Sequence, residues 1–439
     1  MKVTLVNLPD NPVYEGFTRP TMRVFPLGLA YVAAYLERAG HSVTMIDAAT
    51  LDLDKESTMQ ATLDSDPCLV GVGATTPMVD AAISFLGKVK AEAPEVSTVL
   101  GGAHASALYR EVLTQNSGVL DFVVFGEGEE SMLDVVDHME GRSTGLDGVG
   151  WNSPSGVVFG KPRTVVKDLD VLPFPARHLL PMDGYRDDVT FGDSYLGMST
   201  SRGCPYGCIF CASRVVWGRG ARARSPRNVL IEVEQVVREY GITNLLFYDE
   251  LFALDEDRVV EICRGIISLD LGLRISCSSR VDTMSVRRLD WMRRAGVFRV
   301  AFGMESGNDR ILAGLKKGIR VEQIRAAVKM TKEVGLEVYG TFILGCPGDT
   351  EETMEETIGL AESLELDVAQ FSILTPFPGT ETHRMAVSRG LGEGAENREF
   401  RYYYSVVANM SEVSDERLLE LQRGAYRRTQ ATTKKERQR

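Results

Sequence analysis

Ser201-Arg202-Gly203-Cys204-Pro205-Tyr206-Gly207-Cys208-Ile209-Phe210-Cys211-Ala212-Ser213 is the stretch that decides how this chain is read. Its spacing, CxxxCxxC, gathers three thiolates on one short loop able to wrap a compact inorganic cluster. Thiolates are the usual ligands of iron–sulfur clusters, and a cubane has four metal corners to fill. Three ligands leave one iron open to a substrate or cofactor. A two-plus-two zinc site would show paired CxxC or HxxxH elements, and the sequence has none. A structural zinc loop is the plain alternative.

The remaining sequence sets bounds around that loop. A chain of 439 residues should hold two or three domains with ample core. Hydrophobic residues at 44% and charged residues at 25% are ordinary for a globular protein. No apolar run approaches the ~18 residues that a membrane span needs. The start, Met1-Lys2-Val3-Thr4-Leu5-Val6-Asn7-Leu8-Pro9, lacks the long apolar segment and small-residue cleavage site of a signal peptide. A net charge of −12 argues against general nucleic-acid binding, which rests on Lys and Arg. Unpaired cysteines without a leader point to a reducing cytoplasm.

Patterning predicts an α/β protein in two main parts. Residues 1–142 alternate short apolar strands (2–8, 42–47, 69–74, 98–102, 122–125) with amphipathic helices (27–39, 78–91, 106–115, 130–139). That rhythm predicts a doubly wound, Rossmann- or flavodoxin-like parallel sheet, which binds ligands outside the carboxyl ends of its strands. Residues 143–194 break the rhythm with a hairpin at 149–166 and the extended Leu172-Pro173-Phe174-Pro175 linker. From 195 to 380 a longer period returns. Strands are expected at 196–201, 244–249, 274–280, 299–306, 337–344 and 369–375, with helices at 228–240, 255–268, 286–295, 321–334 and 352–364. Six such units close part of an eight-unit barrel. Their polar residues gather at the strand ends, the catalytic face of such folds. Residues 381–439 form a helical extension. From Asp415 onward it carries eight Lys or Arg against four acids and reads as a solvated helix.

With Phe210 ahead of the last cysteine and a six-unit barrel around it, this region resembles the radical S-adenosylmethionine (SAM) enzymes over about residues 195–380. The resemblance implies a [4Fe-4S] cluster on Cys204, Cys208 and Cys211 whose open iron takes the amino and carboxylate groups of SAM. It also implies an external flavodoxin- or ferredoxin-type electron donor. Phe210, Asp249 and Glu250 would lie at the amino end of SAM, with a solvated acidic turn as the alternative for the two acids. Arg280 resembles the arginine that faces the SAM carboxylate, for which a forked guanidinium is suited, or else it forms an ordinary ion pair. Gly303-Met304-Glu305-Ser306-Gly307 is similar to the family's Gly-x-Glu-Ser-Gly strand end, so Glu305 and Ser306 are expected near the ribose and methionine. Cys346, after the fifth strand, is a weaker candidate to touch substrate. So is Tyr403, within Arg401-Tyr402-Tyr403-Tyr404. No second cysteine cluster is visible.

Three loops of the first part each follow an expected strand. They are Thr75-Thr76, Gly101-Gly102-Ala103-His104-Ala105-Ser106 and Phe125-Gly126-Glu127-Gly128-Glu129. Glycines there let backbone approach a cofactor and hydroxyls bond its edge. Ahead of a radical SAM barrel they resemble the cobalamin-binding domain of the cobalamin-dependent subfamily. The cobalamin contacts so implied are Thr75, Thr76, Gly101, Gly102, His104, Ser106, Gly126, Glu127 and Gly128. The first loop, Asn7-Leu8-Pro9-Asp10, has no histidine to ligate cobalt. The subfamily resemblance implies cobalamin with its own base displaced and no histidine replacing it, and His104 then bonds the corrin edge or a propionamide, with a structural turn histidine or a cobalt ligand as the alternatives.

The resemblance implies a methyltransferase acting on an unactivated carbon, less often phosphorus, of a small molecule. One SAM would methylate reduced cobalamin, and a second would yield the 5′-deoxyadenosyl radical that activates substrate. Two alternatives stand beside it. One is a cobalamin-containing radical SAM cyclase, oxidase or ring-rearranging enzyme without net methyl transfer. The other is a non-catalytic electron carrier, which would have no need of Arg280 or of Glu305-Ser306.

Overall fold

The computed structural model describes residues 1–9, 23–142, 145–187, 190–392, 395–401 and 405–436. They divide into two compact units, one of Met1–Ser194 with Ala212–Arg219 and Glu396–Arg398, the other of Tyr195–Cys211, Gly220–Ala395 and Glu399–Arg439.

The first unit alternates β1 (Lys2–Asn7), α1 (Leu27–Arg38), β2 (Ser42–Asp47), α2 (Lys55–Asp64), β3 (Leu69–Gly73), α3 (Val79–Glu92), β4 (Ser97–Gly101), α4 (Ala103–Gln115), β5 (Phe122–Val124) and α5 (Gly128–Met139). The hairpin β6 (Val149–Ser153) and β7 (Gly156–Phe159) follows. The sheet runs β2-β1-β3-β4-β5-β6-β7. Its first five strands are parallel, and the hairpin adds antiparallel beyond β5. This is the flavodoxin-like order, whose ligand crevice opens where the winding reverses, at the carboxyl ends of β1 and β3. The short ribbon of β8 (Arg186–Asp187) and β9 (Asp193–Ser194) closes the unit. The helix α2 was not expected, because its buried face is Thr58, Met59 and Thr62. Both hydroxyls donate back to the helix, to Asp54 O at 2.6 Å and to Thr58 O at 2.8 Å, so they bury as if apolar.

The second unit begins with β10 (Leu196–Met198) and β11 (Ser201–Arg202); the short helix α6 (Ser213–Trp217) lies in the intervening stretch that belongs to the first unit. Then come β12 (Arg222–Ala223), α7 (Pro226–Tyr240), β13 (Asn244–Phe247), α8 (Glu256–Leu269), β14 (Arg274–Ser279), α9 (Val286–Arg294), β15 (Val297–Glu305), α10 (Asp309–Gly314), α11 (Val321–Glu333), β16 (Glu337–Leu344), α12 (Glu351–Ser363), β17 (Val368–Ile373), α13 (Glu381–Ser388) and α14 (Asp415–Glu436). Local signals set these boundaries. Ser225 caps α7 ahead of Pro226, and Gly241 ends it at φ +68°. The sheet β10-β13-β14-β15-β16-β17 is parallel throughout, an open six-strand barrel. The strand expected at 196–201 is broken in two, because Thr200 turns aside to bond Asp249.

The terminal helix is not a solvated arm. Leu418, Leu421 and Ala425 are buried, and Gln422 Nε2 and Tyr426 Oη both donate to Phe371 O on β17, at 2.8 and 3.0 Å. Arg417 and Arg428 pair with Glu351, Glu355 and Glu362 of α12. Thus α14 covers the open edge of β17, which would otherwise offer unpaired backbone to another chain.

The inner face of this barrel is the more open one. Along β16, Tyr339, Thr341 and Ile343 are partly exposed, while Val338, Gly340, Phe342 and Leu344 are buried. Cross-strand partners share a face, so Ala301 and Gly303 of β15 and Val368, Gln370 and Ser372 of β17 line the same side, and all are partly exposed. A closed eight-strand barrel fills its interior with side chains. This one leaves the interior hollow.

Candidate functional site

The cysteine loop is fixed at both ends. At its entry, Asp249 is 2% exposed and accepts from Thr200 N at 2.6 Å, Thr200 Oγ1 at 2.5 Å and Ser201 Oγ at 2.6 Å. Glu250 Oε2 accepts from Gly203 N at 3.1 Å, and Gly203 turns the chain at φ +82°. Arg258 Nη2 donates to Thr200 O at 2.7 Å. At the far end, Ile209 N donates to Leu315 O and Thr382 N to Ile209 O, both at 3.1 Å. The Ile209 side chain buries against Ile311, Leu315 and Cys346, with Phe210 and Ile343 packed on that cluster. Between these anchors Cys204 and Cys208 are half-buried and Cys211 is exposed, all as free thiols. Burial pushes the Cys204 thiol up, opposed by a backbone hydrogen bond from Tyr206. Three unpaired sulfurs on a braced, partly open loop fit a thiolate-bound cluster, with the loop's shape set before any metal arrives.

The barrel strands place charge beside that loop. Arg280, at the end of β14, is 3% exposed, and its guanidinium carbon lies 3.6 Å from the centre of the Tyr206 ring. Asp282 holds it through Nε and Nη2 at 2.8 and 2.9 Å, and Nη2 also donates to Lys317 O at 2.7 Å. Among the described residues Nη1 makes no hydrogen bond to protein. Glu305, at the end of β15, has φ +64°, a left-handed conformation unusual for a non-glycine residue and concentrated at functional positions. Its carboxylate accepts from Lys317 Nζ at 2.7 Å, with both side chains buried. A Cβ on Gly303 would fall 2.5 Å from Glu305 Oε1 and 2.8 Å from Lys317 Nζ, so the glycine makes room for this pair.

Sequence reasoning missed Lys317. Its turn touches the cysteine loop through Leu315 O, Arg280 through its own carbonyl, and Glu305 through its ammonium. Only the run of glycine and basic residues at Lys316-Lys317-Gly318 marked it.

Several expected contacts are engaged within the protein. Asp249 holds the loop entry with both oxygens. Ser306 is 1% exposed, shares a hydrogen bond with Thr357 of α12 at 3.1 Å, and accepts from Asn308 N. The expectation that Cys346 touches substrate is corrected: it is fully enclosed beneath Ile209, and burial pushes its thiol well above the usual range. Asp10 and Tyr403 lie outside the described residues.

In the first unit the three loops form one cluster. Gly102 has φ +97°, and a Cβ there would lie 2.6 Å from Ala74 O. It therefore lets β4 close on the end of β3, where Ala74 N donates to Gly101 O at 3.0 Å and His104 N to Ala74 O at 3.2 Å. Ser106 joins the next loop, its hydroxyl donating to Gly102 O at 2.8 Å and accepting from Gly126 N at 3.0 Å. The His104 ring lies 3.2 Å from Thr76 Oγ1, and burial pushes its pKa down to about 4, so it is neutral at pH 7. Thr75 is exposed, Gly126 faces open space, and Gly128 is half-buried against Val32. Glu127 is turned inward and accepts from Val166 N at 2.9 Å. A rim of small, neutral groups around open space fits the edge of a large amide-bearing cofactor.

The chain matches the Radical SAM superfamily over residues 198–361 and the B12 binding domain over residues 18–136. It is 35% identical over 434 residues to an uncharacterized methyltransferase, PH0819, of Pyrococcus horikoshii, covering 97% of this chain and 92% of that protein. This chain belongs to the cobalamin-dependent radical SAM enzymes. Its cofactors are a [4Fe-4S] cluster, SAM and cobalamin. The anaerobic magnesium-protoporphyrin IX monomethyl ester cyclase of Rubrivivax gelatinosus is 30% identical over 92% of this chain and 73% of its own length. The radical SAM methyltransferase TsrM of Kitasatospora setae, solved with cobalamin and [4Fe-4S] cluster bound, shares the fold with TM-score 0.73 at 20% identity, covering 98% of this chain and 88% of that chain. Among the described residues no helix is long and apolar enough to cross a membrane.

Proposed function

We propose that this enzyme moves a methyl group from cobalamin to an unactivated carbon of a small molecule. When bound, the cluster and SAM supply a 5′-deoxyadenosyl radical, and cobalamin supplies the methyl group. Cys204, Cys208 and Cys211 hold the cluster at the carboxyl face of a SAM-handling barrel, residues 195–380. Arg280 turns its remaining guanidinium nitrogen to the SAM carboxylate. Glu250 and the Lys317–Glu305 pair face the amino and ribose end, and Phe210 packs beside Ile343 of β16. Asp249 and Ser306 act through the loop and helix they hold. Residues 1–142 carry cobalamin against Thr75, Gly126 and the His104–Thr76 pair, with no histidine on cobalt.

The observation that carries this reading is the partly open inner face of the barrel beside a three-sulfur loop, in a chain 35% identical over 97% of its length to a protein named an uncharacterized methyltransferase. Ser278, Ala301 and Thr341 line this inner face with small uncharged groups, and the Lys317–Glu305 pair lies over Gly303 at its end.

The 30% identical cyclase supports a second reading, radical oxidation and ring closure without methyl transfer. Anaerobic enzyme given SAM labelled in its methyl group and a low-potential reductant separates the two. Label in the extracted cobalamin, together with 5′-deoxyadenosine, is expected. Formation of 5′-deoxyadenosine with unlabelled cobalamin would replace methyl transfer by the second reading.

A further inference from the structure

Tyr206 stands midway between Cys204 and Cys208 and touches both halves of the barrel site. Its backbone N–H donates to the Cys204 sulfur. Its ring lies against the guanidinium of Arg280, whose central carbon is 3.6 Å from the ring centre. The residue is half-buried, and among the described residues its hydroxyl makes no hydrogen bond to protein. The ring face, not the phenol, is therefore the part in use.

The other contacts of Arg280 show what a ring adds there. Asp282 engages Nε and Nη2 at 2.8 and 2.9 Å, and Lys317 O accepts from Nη2 at 2.7 Å. Such bonds lie in the guanidinium plane, so they hold its edge and leave its faces bare. Asp282 also lies only two residues away on the same turn, so it does not anchor the arginine to the cysteine loop. An aromatic face attracts the cation from outside the plane and keeps water off that side. Tyr206 thereby ties the guanidinium to the loop, while Nη1 keeps no protein hydrogen bond among the described residues.

Resting on the reading above that Arg280 meets the SAM carboxylate, we propose that Tyr206 is a positioning residue for SAM. It acts through Arg280, fixing the tilt of the guanidinium so that Nη1 is presented to the carboxylate beside the cysteine loop. One residue thus serves the loop with its backbone and the cofactor site with its ring. Substituting the side chain leaves the N–H to Cys204 in place, so the two roles are separable.

SAM affinity is measured by anaerobic equilibrium dialysis of labelled SAM against reconstituted holoenzyme with its cluster left oxidised, so that no SAM is cleaved. Tyr206→Leu should weaken binding about tenfold at parental iron content. Tyr206→Phe should bind as the parent does. In an Arg280→Met background Tyr206→Leu should cause no further loss, because the ring then has no guanidinium to hold. Parental affinity in Tyr206→Leu overturns the proposal. So does a loss that persists in the Arg280→Met background, or one that Tyr206→Phe shares. If Tyr206→Leu fails to load iron, phenylalanines of increasing ring fluorination at position 206 decide instead, since they keep the shape and weaken the negative face. Affinity should then fall with each added fluorine, and a constant affinity overturns the proposal. If Arg280→Met alone binds SAM like the parent, the carboxylate reading beneath the proposal fails.

Discussion

Replacing Lys317 with methionine isolates the interaction on which the barrel site is built. The ammonium and the Glu305 carboxylate lie 2.7 Å apart, at 7% and 8% side-chain exposure. Removing one partner of a buried pair costs about 3–5 kcal/mol, because it strands an uncompensated charge. For a cooperative unit the size of the second one each kcal/mol lowers Tm by roughly 2–4 °C, so Lys317→Met should lower that unit's melting transition by about 6–20 °C. The double variant Lys317→Met, Glu305→Leu should recover much of that loss, since a well-packed apolar pair often replaces a buried ion pair at little cost. Neither double variant nor single should bind SAM as the parent does, measured by the rate of 5′-deoxyadenosine formation against SAM concentration. A Lys317→Met melt within 1 °C of the parent (about measurement error) would refute the claim that this pair is buried and coupled.

Gly102→Val should lower cobalamin occupancy strongly while iron content stays at the parent value, because φ +97° and the contact with Ala74 exclude a side chain; full cobalamin loading, read from the visible spectrum, would contradict it. His104 is depressed to about 4 from an ordinary value near 6.5. Its folded-state stability is therefore complete above pH 6.5 and is lost as pH falls toward 4, by about 3 kcal/mol over that window. Melts of the parent and His104→Gln across pH 5–8 should diverge only at the acidic end; parallel curves would show that the ring is not held neutral. Truncation after residue 414 should expose the β17 edge and produce association measurable by light scattering, whereas a monodisperse product would deny that α14 seals the sheet.

What was legible in the sequence was whatever lay within a few residues along the chain. The CxxxCxxC spacing and the alternation of strands with helices gave both folds. Periodicity shows which residues share a face but not whether that face is filled, so the hollow barrel interior was invisible. Partnerships made by folding were equally hidden. Asp249 looked like a free acid at a strand end, yet Thr200 and Ser201 engage it. Lys317 lies twelve residues beyond Glu305 and meets it only because β15 ends in a left-handed turn. The threonine face of α2 and the Gln422–Tyr426 seal of α14 bury polar residues that composition assigns to water.

Metal analysis of anaerobically reconstituted protein, with the electron paramagnetic resonance of its reduced form before and after adding SAM, tests the central claim most directly. Three cysteines with one open iron predict about four irons per chain and a cluster signal that changes when SAM binds. Bound zinc without iron, or a cluster signal indifferent to SAM, would contradict it.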